Sequence, residues 1–270
     1  MATVSWFRRA MPLSRRVRIV ASLLPKQRWF RFALLASKSQ GRASNAMGGN
    51  GKLTELWMRD HWLRELTSHG TFPIPQRIHG REELDRYTAI GPVLYCSTHL
   101  SMFEICLRAL VELGHRPVAV ADDGRIVDGQ RYPVIGMSEK LPALRATPYT
   151  LTQMRSLLLS GKSVACMADS EYMDTDLSDN LVRFAYRLRI PVIFTWAKLG
   201  TDNVFDVMFQ PAQSLYGEGT SCVEESMNFL RRLHRDIRQS LGLAIAGVGI
   251  PTVEIEPRTI AEKDLRSEAA

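Results

Sequence analysis

The chain has no CxxC pair and no even spacing among its four cysteines, Cys96, Cys106, Cys166 and Cys222. Three of them lie in apolar stretches, which argues against a disulfide frame and predicts reduced, buried thiols in a cytoplasmic protein. No apolar run reaches the ~18 residues that a membrane-crossing helix needs. No apolar h-region follows the early arginines, so no secretory signal is expected. Gly-x-Gly-x-x-Gly and the P-loop are both missing, so no nucleotide cofactor is indicated. Ser170 is not framed as Gly-x-Ser-x-Gly, which leaves a hydrolase nucleophile elbow unsupported. His61, His69, His79, His115 and His234 show no metal-ligand pairing. The acidic run Asp169, Glu171, Asp174, Asp176 and Asp179 fits no calcium loop and lacks its glycine, so it reads as a solvated turn and no metal is expected. What remains is a globular composition, 45% hydrophobic and 23% charged, in a chain of 270 residues long enough to bury a sizeable core.

Acidic residues are also missing from the N-terminal segment. Eleven of the 35 basic residues and none of the 28 acidic ones precede Glu55, so the remainder carries a net charge of −4. Trp6, Phe7, Leu23, Leu24, Trp29, Phe30 and other apolar residues are interleaved with these cations, and Pro12 and Pro25 break the segment into short pieces. Residues 1–52 therefore read as a basic amphipathic arm with two open placements. One is in the headgroup layer of an anionic membrane; the other is packed on the body with a solvated basic face. No nucleic-acid motif accompanies the charge. Residues 39–52, rich in Gly, Ser and Asn, read as a linker, which leaves 53–270 as the second domain.

From residue 53 onward apolar runs and amphipathic stretches alternate. Helices are expected over 54–68, 102–113 and 181–188. Another runs from a Thr147 N-cap with Pro148 at the first helical position to Gly161 as C′ residue. Strands are expected over 93–98, 118–121, 164–167 and 192–197, the last pairing with 204–209 across Gly200-Thr-Asp-Asn203. Ser221-Cys-Val-Glu224 predicts a capping box that opens a last helix. The alternation predicts an α/β fold, a layered mixed sheet flanked by helices.

The segment richest in chemistry is Gly91-Pro-Val-Leu-Tyr-Cys-Ser-Thr-His99-Leu-Ser-Met-Phe-Glu104. A strand ends, His99 sits in the turn, and Glu104 falls in the first turn of the next helix. A histidine paired to a carboxylate is a general base held in one tautomer, suited to taking a proton from an attacking hydroxyl or amine. Spacing alone leaves a second reading open. Ser101-Met-Phe-Glu104 is itself a capping box, in which Glu104 serves backbone donors and His99 is a loop histidine.

This segment resembles the His-x4-Asp/Glu motif of the lysophospholipid-acyltransferase superfamily, and within it the lipid A late-acyltransferase branch, where Glu is frequent. The block Met154-Arg-Ser-Leu-Leu-Leu-Ser-Gly161-Lys-Ser-Val-Ala-Cys-Met-Ala-Asp169-Ser-Glu171-Tyr172 is similar to that branch's helix, glycine, apolar strand and Asp-x-Asp/Glu turn. The stretch from Arg183 to Gln210-Pro211 is similar to its following helix and paired strands. Together these cover residues 78–212. The resemblance implies direct transfer of a fatty acyl group from acyl-ACP or acyl-CoA to a hydroxyl or amine acceptor, a lipid or glycolipid. His99 would be the base and Glu104 its carboxylate. Asp169 and Glu171 match the second motif, and Arg145 lies near, but out of register with, the branch's arginine. It implies no cofactor and a peripheral place on the inner face of the cell membrane. The Phe-Pro-Glu-Gly-Thr-Arg-like block of glycerophospholipid enzymes and the branch's N-terminal spanning helix are both missing, which leaves the acceptor open. A thioesterase and a non-catalytic lipid-binding protein of the same fold are the alternatives.

Overall fold

Of the predicted arm and linker, residues 1–12 lie outside the described residues, and from Leu13 onward the chain forms helices that pack on its body. The structure, a computed structural model, describes residues 13–121, 126–169, 177, 179–212 and 221–243. Helix α1 is Leu13–Leu23, α2 is Trp29–Ala46 and α3 is Gly51–Thr67. The expected linker is thus the second half of α2 plus a tight turn into α3. Its small residues are there for packing: Ser37, Gly41 and Ser44, at helical spacing, are buried along α2. A Cβ on Gly41 would come within 2.6 Å of the Gly51 carbonyl oxygen, so only glycine lets the two helices approach this closely. Thr54 Oγ1 donates to Ser44 Oγ at 2.9 Å across the same seam. Asn50 Oδ1 accepts the Leu53 N–H at 3.0 Å and caps α3.

Trp29 and Phe30 are buried, their rings 5.7 Å from Phe72 and 6.0 Å from Phe205 respectively. Burying such side chains contributes roughly 1.5–3 kcal/mol each, which fastens α2 to the body. No described helix is long and apolar enough to cross a membrane.

The remaining described helices are α4 (Arg81–Ile90), α5 (Phe103–Glu112), α6 (Thr150–Leu159), α7 (Asn180–Leu188) and α8 (Ser221–Ser240). Nine strands are described: β1 (Gln76–His79), β2 (Leu94–Ser97), β3 (Val118–Ala121), β4 (Ile126–Val127), β5 (Gln130–Arg131), β6 (Ala143–Arg145), β7 (Val164–Met167), β8 (Val192–Leu199) and β9 (Phe205–Pro211). Seven of them form one mixed sheet in the order β1-β9-β8-β2-β7-β3-β6, while β4 and β5 pair separately. From β8 to β6 the sheet is parallel; β9 is antiparallel to β8, and β1 runs parallel to β9. The chain is therefore α/β, with a seven-stranded mixed sheet flanked by helices.

Alternate residues of the central strands feed two cores. Tyr95 and Ala165 pack with α2, α3 and α5, whereas Leu94, Cys96, Val164 and Cys166 pack with α6, α7 and α8. Cys96, Cys106 and Cys166 are free and buried, and burial pushes the Cys166 thiol up to about 12. Gly161 does take the left-handed C′ position, at φ 83°. Thr147, however, does not cap α6. The helix starts at Thr150, and Thr147 Oγ1 instead accepts the Tyr149 N–H at 3.2 Å in a preceding turn. The side chain of Ser221, and with it the expected capping box, lies outside the described residues.

Candidate functional site

The site begins with the way β2 ends. Ser97 Oγ donates to the Thr195 carbonyl at 2.6 Å, and Ser101 Oγ accepts the Thr98 N–H at 3.1 Å while donating to the Thr98 carbonyl at 2.6 Å. These bonds wind residues His99–Ser101 into one 3₁₀ turn. Met102 follows at φ 51°, a left-handed conformation that costs a non-glycine residue about 1–3 kcal/mol, and only then does α5 begin. Ser101 is consequently not the N-cap of α5. The cap position is held by Met102, so the Ser101–Glu104 capping box is not formed.

The carboxylate on the His99 ring is not the expected one. Asp169 Oδ1 lies 3.1 Å from His99 Nδ1, and both Asp169 oxygens lie 3.0 Å from the His99 backbone nitrogen. Sheet register is the reason. β2 and β7 are adjacent and parallel, with Ser97 beside Met167, and two residues beyond each strand the same alignment brings His99 to Asp169. The Ala168 N–H donating to the Ser97 carbonyl at 2.8 Å continues the pairing past the strand ends. The Asp169 side chain is fully buried and that of His99 is 17% exposed, so the ring opens outward from a fixed carboxylate.

Glu104 lies in the first turn of α5 and is also buried, but arginines hold it. Arg131 Nη2 donates to Glu104 Oε1, and Arg64 Nη1 lies 3.2 Å from the same oxygen. Arg64 in turn makes two bonds to Asp60, at 2.7 and 3.1 Å. The sequence pairs His99 with Glu104; in the structure the carboxylate at His99 Nδ1 is Asp169, and Glu104 lies between Arg131 and Arg64 in the same cavity. The 3₁₀ turn and Met102 separate the two residues along the chain, while the neighbouring strand supplies Asp169 directly.

His99, Glu104, Asp169, Arg64 and Arg131 share one cavity of about 340 Å³, whose apolar wall includes Leu56, Trp57, Met102 and Phe103. It opens where β2, β3 and β7 end. The chain leaves β2 through α5 toward β3 and leaves β7 through α7 toward β8, so the two connections run in opposite directions along the sheet. Such a switch point splits the loops and leaves a crevice at the carboxyl ends of the strands. Arg145, expected on the substrate side, is exposed at the end of β6 opposite Ala121, and the next residue, Ala146, reaches the cavity. Glu171 lies outside the described residues. Among the described residues, no group of three or more His, Cys, Asp or Glu side chains could hold a metal ion.

Arg64, Asp60 and Arg131 are site residues not anticipated from sequence. Arg131 had a readable signal. Asp128 and Gly129, at φ 53° and 70°, form the two-residue turn of the β4–β5 hairpin that brings Arg131 in, and Asp-Gly is a favoured pair for that turn.

Chemically, a ring whose Nδ1 faces a buried carboxylate is basic at Nε2 and can accept a proton there, with the resulting imidazolium stabilised by Asp169. No protein-family model and no curated protein sequence matches the chain.

Proposed function

We propose that the chain is an acyltransferase that moves a fatty acyl group from a thioester, acyl-ACP or acyl-CoA, to a hydroxyl or amine acceptor on a lipid or glycolipid. The observation that carries the reading is the His99–Asp169 pair at the mouth of a crevice with an apolar wall. In the reaction, His99 Nε2 takes the proton of the acceptor as its oxygen or nitrogen attacks the thioester carbonyl. The carbon–sulfur bond then breaks, and the proton passes to the departing thiolate. The sequence resemblance set out above supports the same chemistry, with Asp169 in place of Glu104 as the carboxylate that orients the base.

The test is thiol release from long-chain acyl-CoA and acyl-ACP, with and without extracted lipids. Release that requires the lipid and is accompanied by acylated lipid is the expected outcome. Release without any acceptor would make the chain a thioesterase, and silence across a broad donor panel would reject the reading.

The same proposal seats the protein on the anionic inner face of the cell membrane through its N-terminal helices. Support comes from their surface. Arg15, Arg16, Arg18, Lys26, Arg28 and Arg31 are exposed, and none meets a carboxylate among the described residues. Beside them Leu23 is 74% and Leu35 69% exposed, and Ile19 lies one helical turn before Leu23. At about 1 kcal/mol per cation near an anionic surface, replacing Arg15, Arg16 and Arg18 together with alanine should weaken binding to phosphatidylserine-containing vesicles about a hundredfold at low salt. Sedimentation with vesicles checks this. Unchanged binding, or binding indifferent to salt, would reject the membrane contact.

A further inference from the structure

A second cavity, of about 570 Å³, lies at the opposite edge of the sheet. Its walls come from segments that enter β2, β3, β6 and β7, where Pro92, Pro117 and Pro142 form a rigid apolar lining. Ligands of parallel α/β sheets normally sit at the carboxyl ends of the strands. The chemistry at His99 therefore does not account for this cavity at the amino ends.

Two polar atoms of its lining residues are buried, and neither has a hydrogen-bond partner among the described residues. Tyr95 is fully buried on β2, and its hydroxyl has no hydrogen-bond partner. His115 Nε2 is likewise buried without a hydrogen bond among the described residues, and it faces Asp85 Oδ1 at 3.9 Å, whose carboxylate lies 3.5 Å from Arg81. A buried polar group without a partner is costly, so the Tyr95 hydroxyl favours an occupant that bonds to it. Burial raises the Tyr95 hydroxyl well above its ordinary value, so it keeps its hydrogen and remains a donor. At the rim stand Arg116 and Lys162, both exposed, with no carboxylate partner among the described residues. Arg116 Nη1 donates to the carbonyls of Val111 and His115, which fixes the guanidinium. Among the described residues, no carboxylate lines the cavity.

We propose that this cavity binds a small organic phosphate. Its phosphoryl oxygens accept from the Tyr95 hydroxyl, the Lys162 ammonium and the Arg116 guanidinium, while its organic body lies against the three prolines. The donors arrive from three separate segments, β2, the α5–β3 turn and the α6–β7 turn. That divergence suits the three non-bridging oxygens of a tetrahedral group better than the two coplanar oxygens of a carboxylate.

The experiment is calorimetric titration of the full chain with phenyl phosphate, with benzoate as the carboxylate comparison. Saturable binding of one phenyl phosphate per chain, at least about tenfold tighter than benzoate, is expected. Lys162→Ala, at an exposed position, and Tyr95→Phe, which removes one oxygen, should each weaken it about tenfold, or about 1.4 kcal/mol. Arg77→Ala, which removes an exposed cation from distant β1, should leave it unchanged, and thermal melts confirm that each variant is folded. The proposal is overturned if no saturable binding occurs, if benzoate binds equally well, if both site variants bind like wild type, or if Arg77→Ala weakens binding as much as Lys162→Ala.

Discussion

Replacing His99 with alanine should lower acyl transfer by about 10²–10⁴-fold and leave the thermal unfolding transition where it is. The rate loss is the usual contribution of a positioned general base. Stability should hold because the ring is partly exposed, and because the bond that joins the two loops, from the His99 backbone N–H to Asp169, does not need the ring. Asp169→Asn belongs to the same experiment. The amide still offers an oxygen to the His99 N–H, but it removes the charge that stabilises the imidazolium, so activity should fall steeply in a folded protein. Full activity in Asp169→Asn, coupled with loss in Glu104→Gln, would return the orienting role to Glu104. Full activity in a well-folded His99→Ala would end the general-base mechanism.

Glu104→Ala should strike stability rather than chemistry first. Glu104 and Arg131 are 4% exposed each, so alanine would strand a guanidinium in the interior. Breaking a buried pair from one side costs about 3–5 kcal/mol, against the roughly 5–15 kcal/mol by which ordinary domains are stable. A fall of that size in the free energy of urea unfolding is expected, with part of it recovered when Arg131→Leu is added, because the double variant leaves no stranded charge from that pair. A Glu104→Ala variant as stable as wild type would show that the pair contributes nothing to the fold.

These two experiments separate residues that the sequence presents as one motif. The strands at Val118–Ala121 and Val164–Met167 have the expected bounds, because short apolar runs between Gly and Pro signals leave few alternatives. The α5 region is also readable, ending as expected beside Gly114. The partner of His99 is harder to see. Its carboxylate lies 70 residues away, two residues past the end of β7, a strand that the chain inserts between β2 and β3 only after building β3 and β6. A five-residue spacing to Glu104 is visible in one line of sequence, whereas the register of β2 against β7 is not. The left-handed Met102, which ends the 3₁₀ turn, carries no residue signature, since glycine or asparagine would be the usual occupant. Residues 39–52 mislead for a different reason. Gly, Ser and Asn favour loops, but the same small side chains permit close helix contact, and composition does not distinguish the two uses.

The contact between Gly41 and Gly51 has a consequence for how the molecule can be cut. α3 supplies Leu56, Trp57, Asp60 and Arg64 to the crevice, and α2 covers α3 along that seam. A chain shortened to begin at residue 53 would therefore lose more than the cationic surface proposed to meet a lipid. It would bare the flank of the helix that walls the crevice and leave Phe205 without the Phe30 ring. The proposed lipid contact and the proposed chemistry thus share one helical seam, so point changes on the outer surface, not truncation, are the way to pull them apart.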